Sequence, residues 1–356
     1  MKEREEIVKI KIVGIYSVIH FIVDLSCSIL VSNLVTKKIG LGTNLFVAIL
    51  IYNFFAFAMQ LPIGIIADKI NKNAICSAVG CLLVAVSYGL SNFGVISCII
   101  AGIGNAMFHV GGGIDVLNIS DKKATLSGIF VSTGAMGILL GGKSVAIKFN
   151  KYYIIILILL ISSGLLFLLY SKIKGKIDNA KIKKIKLNKN EWIAIICIFI
   201  TVCIRSYVGM ILTFSWKSSF VFAFLSILSV VFGKMLGGII GDKIGFEKIS
   251  ISLFISAVCF IFAFNNPIMG MIAILLFNMT MPITLIGLSN IFDNNKGLAF
   301  GLLTLALFVG AVPTFIGCNQ LFTPIGLFTI TLISSVILYI ALRYYNKNCL
   351  KEEKQC

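Results

Sequence analysis

Charge is scarce in this sequence. Asp, Glu, Lys and Arg make up 13% of its 356 residues, while 58% are hydrophobic; an ordinary soluble domain carries about a quarter charged residues. A chain so poor in charge cannot cover a folded surface with polar groups. That excludes a soluble globular protein and leaves a polytopic membrane protein. Acid is scarcer than base, with 14 Asp and Glu against 31 Lys and Arg. The basic excess does not point to nucleic acid, because it sits in short gaps between apolar runs rather than on one face, and no nucleic-acid partner is expected. Catalytic signatures are missing too. There is no GxSxG, HExxH or Walker loop, so neither an enzyme nor a cofactor is expected. With no ATP-binding domain, any transport must draw on an ion gradient or on the substrate's own gradient. The ten cysteines lack metal-ligand spacing. Eight lie in or beside apolar runs and two, Cys349 and Cys356, in a hydrophilic tail; they are expected to be free thiols serving as small apolar residues. No cleavable leader is expected, since the apolar run after Met1–Lys11 is of full membrane length and lacks a small-residue cleavage site.

What is present is a series of apolar runs. A helix needs about 20 residues to cross the hydrocarbon core. Twelve candidate spans follow, at 12–34, 43–66, 74–91, 94–118, 124–149, 152–171, 191–213, 219–241, 249–266, 268–290, 298–318 and 322–343. Turn residues near Asn92 and at Asn265-Asn266-Pro267 divide spans that would otherwise fuse. Lys and Arg cluster in alternate gaps. One side holds the basic residues before position 12, Lys69, Lys72, Lys122, Lys123, Lys243, Lys248, Lys296, those of the tail, and eight lysines between Lys172 and Lys189. The other side holds Lys37, Lys38, Lys148, Lys151 and Lys217. Cytoplasmic loops carry the Lys/Arg excess, so both termini and the middle loop are expected to be cytoplasmic, in a cell (plasma or inner) membrane. The organisation expected is a six-helix half at 1–171, a basic linker at 172–190, a second six-helix half at 191–343 and a tail at 344–356.

The halves repeat. Gly64-Ile65-Ile66-Ala67-Asp68-Lys69 returns as Gly238-Ile239-Ile240-Gly241-Asp242-Lys243, an offset of 174. Asp121, Gly128 and Gly137 return as Asp293, Gly301 and Gly310 at offsets of 172 and 173. A near-constant offset of half the chain means one unit used twice, and parallel repeats of this kind place a substrate site at their interface. The glycines allow close helix approach, and each aspartate stands where a helix ends and a carboxylate can accept backbone N–H groups or pair with a cation. Asn71 and Gly245 hold matching positions, both able to take a left-handed turn.

This doubled loop, with twelve spans and a basic middle loop, resembles the major facilitator superfamily. The resemblance implies an all-α fold of two pseudo-symmetric six-helix halves and a cytoplasmic gating latch made by Gly64, Asp68, Lys69 and Lys72 and by Gly238, Asp242 and Lys243. A narrower likeness joins His20-Phe21-Ile22-Val23-Asp24 to Gly102-x-Gly104-Asn105-Ala106-x-Phe108-His109. It is similar to the fosmidomycin-resistance branch, which implies drug efflux with proton antiport; Val110 stands where that branch has proline. Gly137, Gly141 and Gly142 resemble the antiporter signature G-P-x-x-G-G, with Ile138 in the proline position.

Polar residues inside a span are costly and mark pathways. His20 and Asp24 share one helix face at a spacing of four, and a carboxylate beside an imidazole can share or pass a proton. His109 and Asn105 share a face four apart on a later span, with His109 at the depth of His20. Asp115 lies nearer the cytoplasmic end, as gate, cap or proton carrier. Arg205 suits an anionic substrate group or a partner such as Asp24. Asn278 opens a polar, kinkable stretch with Pro282. Lys234 is expected to snorkel. Gly102, Gly104, Gly111 and Gly112 are expected to let their helix approach the first or fifth span. Two His and one Asp could hold a metal, but a hydrogen-bonded cluster is the stronger expectation and no metal is assigned. The expected function is secondary, proton-coupled efflux of a small organic solute by a monomer in the lipid bilayer. Uptake of a possibly anionic solute is the alternative, and a non-transporting sensor a lesser one.

Overall fold

The computed structural model describes residues 2–36, 42–143, 152–173 and 185–352. The helices are α1 (Lys2–Ile29), α2 (Thr43–Asn53), α3 (Gln60–Ile70), α4 (Asn73–Gly89), α5 (Val95–Ile119), α6 (Thr125–Lys143), α7 (Tyr152–Ile173), α8 (Lys189–Ile211), α9 (Phe220–Ile244), α10 (Phe246–Phe262), α11 (Pro267–Asn278), α12 (Thr280–Ile291), α13 (Lys296–Phe315) and α14 (Pro324–Glu352). The pair α2 and α3, joined by a π-helical stretch over Phe54–Ala58, forms one apolar segment, as do α11 and α12. Among the described residues, ten helical segments are long and apolar enough to cross a membrane. The helices α4 and α10, of 17 residues each, are shorter and stand where the third and ninth spans are predicted.

Local chemistry sets the boundaries. Asn71 closes α3 in the left-handed conformation (φ 53°) and Gly245 closes α9 at φ 94°. Asn188 and Glu191 form a reciprocal capping box that starts α8, and the Asn266 side chain accepts from Ile268 and Met269 ahead of Pro267, each satisfying otherwise unpaired N–H groups. The break at Met279 follows from Pro282, which has no N–H to offer the Asn278 carbonyl four residues back. Two ends differ from the sequence prediction. The helix α1 begins at Lys2 rather than near residue 12, and α14 runs on to Glu352 rather than stopping at 343; hydropathy marks where a helix is apolar, and neither stretch contains a proline to stop it. Lys37, Lys38, Lys148, Lys151, Cys356 and linker positions 174–184 lie outside the described residues.

The chain forms two compact units. One comprises the described residues of Met1–Asp121, Thr133–Ile182 and Asn294–Leu305; the other those of Lys122–Ser132, Lys183–Asp293 and Ala306–Cys356. In the first, α4 packs against α5 and α7, and α1 against α5. In the second, α14 packs against α8 and α10, and α11 against α9 and α10. Large apolar side chains stay exposed along α7, among them Leu157, Ile161, Leu165 and Leu168, a surface stable against lipid and not against water.

Candidate functional site

The first unit holds a polar ladder between α1 and α5, which run antiparallel. Tyr16, His20 and Asp24 recur every four residues on α1, and Asn105, His109 and Asp115 face them from α5. At one rung, Asn105 Nδ2 donates to Asp24 Oδ1 at 2.9 Å. At the next, His20 Nε2 and His109 Nε2 lie 2.8 Å apart. Asp24 touches both rings, its Oδ2 being 3.2 Å from His20 Nε2 and its Oδ1 3.5 Å from His109 Nε2. At the third rung, Tyr16 Oη donates to Asp115 Oδ2 at 2.5 Å, and Asn73 Nδ2 from α4 donates to Asp115 Oδ1 at 2.9 Å. Beyond it, Lys9 and Asp121 form an ion pair at 2.5 Å. His20, Asp24, Asn105 and Asp115 are each at most 4% exposed.

His109 Nδ1 lies 2.8 Å from the Asn105 carbonyl oxygen. A carbonyl only accepts, so the hydrogen sits on Nδ1, and Nε2 of the neutral ring is a lone pair. Between the two Nε2 atoms there is then room for one hydrogen, beside a carboxylate. A single proton on this triad has three acceptors within reach.

Helix α6 seals the cluster through Gly134, Gly137 and Gly141. A Cβ on Gly134 would land on His20 Nε2 and Asp24 Oδ2; on Gly137 it would meet the Phe21 carbonyl, and on Gly141 the Leu25 carbonyl and Ser28. Ser28 Oγ donates to the Ile138 carbonyl at 2.7 Å. Sequence patterning alone does not mark Gly134, Tyr16 and Asn73 as site residues, although Gly134 stands three before Gly137 and Tyr16 four before His20.

The α5 glycines do other work than predicted. Gly104 and Gly111 lie against α4, at Gly80 and at Asn73 and Ser77, while Gly102 meets Tyr52 and Phe55; Gly112 is buried. The atoms nearest Gly102, Gly104 and Gly111 belong to elements other than α1 and α6, while Asn105 and His109 are the α5 residues that face α1.

Asp68 and Asp242 occupy equivalent places. Within the first unit, Asp68 accepts from Gly297 N at 2.7 Å and Leu298 N at 2.9 Å, capping α13. Within the second, Asp242 accepts from Ala124 N at 2.7 Å and Thr125 N at 2.8 Å, capping α6, and from the Thr125 hydroxyl. Gly64 lies on Gly297, and Gly238 on Ala124, so closely that neither has room for a Cβ. Each cap therefore joins a helix of one sequence half to a helix of the other. Lys69, Lys72 and Lys243 are exposed and make no side-chain bond among the described residues.

In the second unit, buried Arg205 on α8 donates to Thr284 Oγ1 of α12 at 3.0 Å. Asn278 Nδ2 donates back to the Ile274 carbonyl at 2.8 Å. Lys234 does not snorkel; it is buried, with Nζ 3.3 Å from the Val131 carbonyl.

No protein-family model and no curated protein matches the sequence. Solved structures do. One is the Escherichia coli fucose:proton symporter FucP in a singly substituted form, similar with a TM-score of 0.65 at 14% identity over 95% of this chain and 99% of that one. Another is the major facilitator superfamily transporter FucP in an outward conformation, at 0.60 and 13%, covering 93% and 99%. The chain shares the fold of these transporters. At such identity the likeness rests on helix order and packing rather than on shared side chains. These neighbours of the major facilitator fold are transporters, not enzymes.

Proposed function

We propose that the protein is a secondary active transporter that moves a small organic solute across a cell membrane by alternating access, with proton binding at the His20–Asp24–His109 triad as its coupling step. One observation carries this: the only two histidines of the chain and a buried aspartate meet inside one unit, with no Lys or Arg pairing Asp24 among the described residues. An ionisable residue inside a membrane marks a functional pathway by default, and chains of Asp and His are one form of proton relay. The ladder continues it through Tyr16 and Asp115 toward the end of α1 that carries Lys9. Asp68 and Asp242 serve as latches whose release lets the halves rock. Both termini are cytoplasmic and the working form is a monomer.

The direction proposed is efflux by proton antiport, on the likeness of His20–Asp24 and Gly102–His109 to the fosmidomycin-resistance branch. Uptake is the second reading. Arg205 favours it as a buried cation suited to an anionic solute, and FucP, of the same fold, is a proton symporter.

In reconstituted vesicles, Asp24→Asn should abolish substrate-driven proton movement while leaving the protein folded. Wild-type coupling in that variant would sink the proton role. The solute is found by screening drugs, sugars and organic acids for thermal stabilisation of the purified protein, since a ligand that binds only the folded state raises its melting temperature.

A further inference from the structure

The geometry points to a transition-metal site in the same triad: His20, His109 and Asp24 bind one divalent ion of the zinc class through two imidazole nitrogens and one carboxylate oxygen. This goes beyond proton coupling and does not depend on it.

The donor atoms converge. His20 Nε2, His109 Nε2 and the Asp24 carboxylate all lie within 4.8 Å of one another. Their separations are 2.8 Å between the imidazoles, 3.2 Å from His20 Nε2 to Asp24 Oδ2 and 3.5 Å from His109 Nε2 to Asp24 Oδ1. A tetrahedral ion with ligands at about 2.0–2.1 Å holds its donors about 3.3 Å apart. The edge from His20 Nε2 to Asp24 Oδ2 already fits; the imidazoles must part by roughly half an ångström, and the carboxylate must turn to set one oxygen between both rings. The rings stand at 90° to each other, so one can turn without meeting the other face-on.

The surroundings are those of a ligand set. Metal-bound imidazoles give their second N–H to a carbonyl or carboxylate, which fixes the tautomer and aims the lone pair. His109 does so, with Nδ1 against the Asn105 carbonyl oxygen. The Asn105 side chain donates to Asp24 Oδ1, which leaves Oδ2 for a metal. Asn105 thus positions two of the three ligands without being one. The donor type decides the ion. Two borderline nitrogens and one oxygen suit zinc, cobalt and their neighbours, whereas magnesium and calcium require oxygen shells of six or more. Three protein ligands leave a fourth position open to water or another ligand, unlike the four protein ligands of a structural zinc site.

The test uses Co2+ as a spectroscopic probe on the untagged, full-length protein in detergent. The site predicts one Co2+ per chain, with the visible absorption of a four-coordinate ion, displaced by Zn2+. His109→Gln should lose the signal and Asp24→Asn weaken binding at least tenfold. Asn105→Ala, which removes no ligand side chain, should weaken it by about 10–100-fold with the spectrum preserved. His109→Cys guards against a variant that merely misfolds, because it should keep the ion and add a sulfur-to-cobalt charge-transfer band. Absence of Co2+ uptake by the wild type, or uptake unchanged in His109→Gln and Asp24→Asn, overturns the site. Proton flux is measured separately on metal-free protein. Coupled flux without Co2+ binding removes the metal site alone, and Co2+ binding without flux removes the transport reading alone.

Discussion

Gly134 decides how near α6 comes to the histidine pair. Its missing side chain is occupied by His20 Nε2 and Asp24 Oδ2, so Gly134→Ala must push α6 away or turn His20 aside. Overpacking of this kind costs about 1–3 kcal/mol. The control is Gly209→Ala on α8, where a Cβ would meet nothing within 4 Å and a helix interior gains up to about 1 kcal/mol from alanine. Thermal unfolding in detergent should show a lower melting temperature for the first and an equal or higher one for the second. Equal melting of both variants would mean that α6 does not seal the triad. The His20–Asp24 pair is legible in the sequence, because a spacing of four on a helix is a local fact. The level of His109 follows from counting residues along two opposed spans. What Gly134 touches is a matter of which helix arrives opposite it, and no local pattern states that. The same holds for Asn73, whose carboxylate partner Asp115 lies on the next helix, and for Gly104 and Gly111 of α5, whose nearest neighbours are on α4.

At the scale of elements, the doubled loop carries one device twice. Asp68 and Asp242 each accept from two backbone N–H groups at the start of a helix, where otherwise unpaired donors and the helix dipole both favour a carboxylate. Replacing such a cap by alanine costs about 0.5–2 kcal/mol. Asp68→Ala and Asp242→Ala should each lower the melting temperature. The two share no partner, so the losses in the double variant should add. Asp→Asn at either position, which keeps an accepting oxygen, should lose less. A double variant no worse than either single one would show that the caps are not independent. The sequence reveals both aspartates through their constant offset, and it places a turn after each. It does not reveal which helix is capped, since Gly297 and Ala124 lie far from them along the chain. Hydropathy likewise finds the spans but not the charged first turns of α1, which continue the helix without an apolar signal.

For the whole molecule, orientation rests on the distribution of Lys and Arg, while the fold rests on helix order shared at 14% identity with a solved transporter. These are independent, and one experiment checks the first without the second. The native cysteines are already placed for it. Seven of those found as free thiols lie within helices, from Cys27 on α1 to Cys259 on α10. Cys318 stands in the loop after α13, where its carbonyl oxygen accepts from Tyr207 Oη at 2.9 Å. Cys349 and Cys356 lie in the tail. If the basic gaps face the cytoplasm, an impermeant thiol reagent should label the tail cysteines of sealed vesicles only from the cytoplasmic face. Cys318, one span away, should react only from the opposite face, and more slowly, because it is half-buried. Cys318→Ser should remove the outside signal and leave the inside one intact. Labelling of Cys318 and the tail from the same face would break the even crossing between them. Both signals on reversed faces would keep the fold and invert the molecule, and with it the end of the His20–Asp115 ladder from which protons arrive.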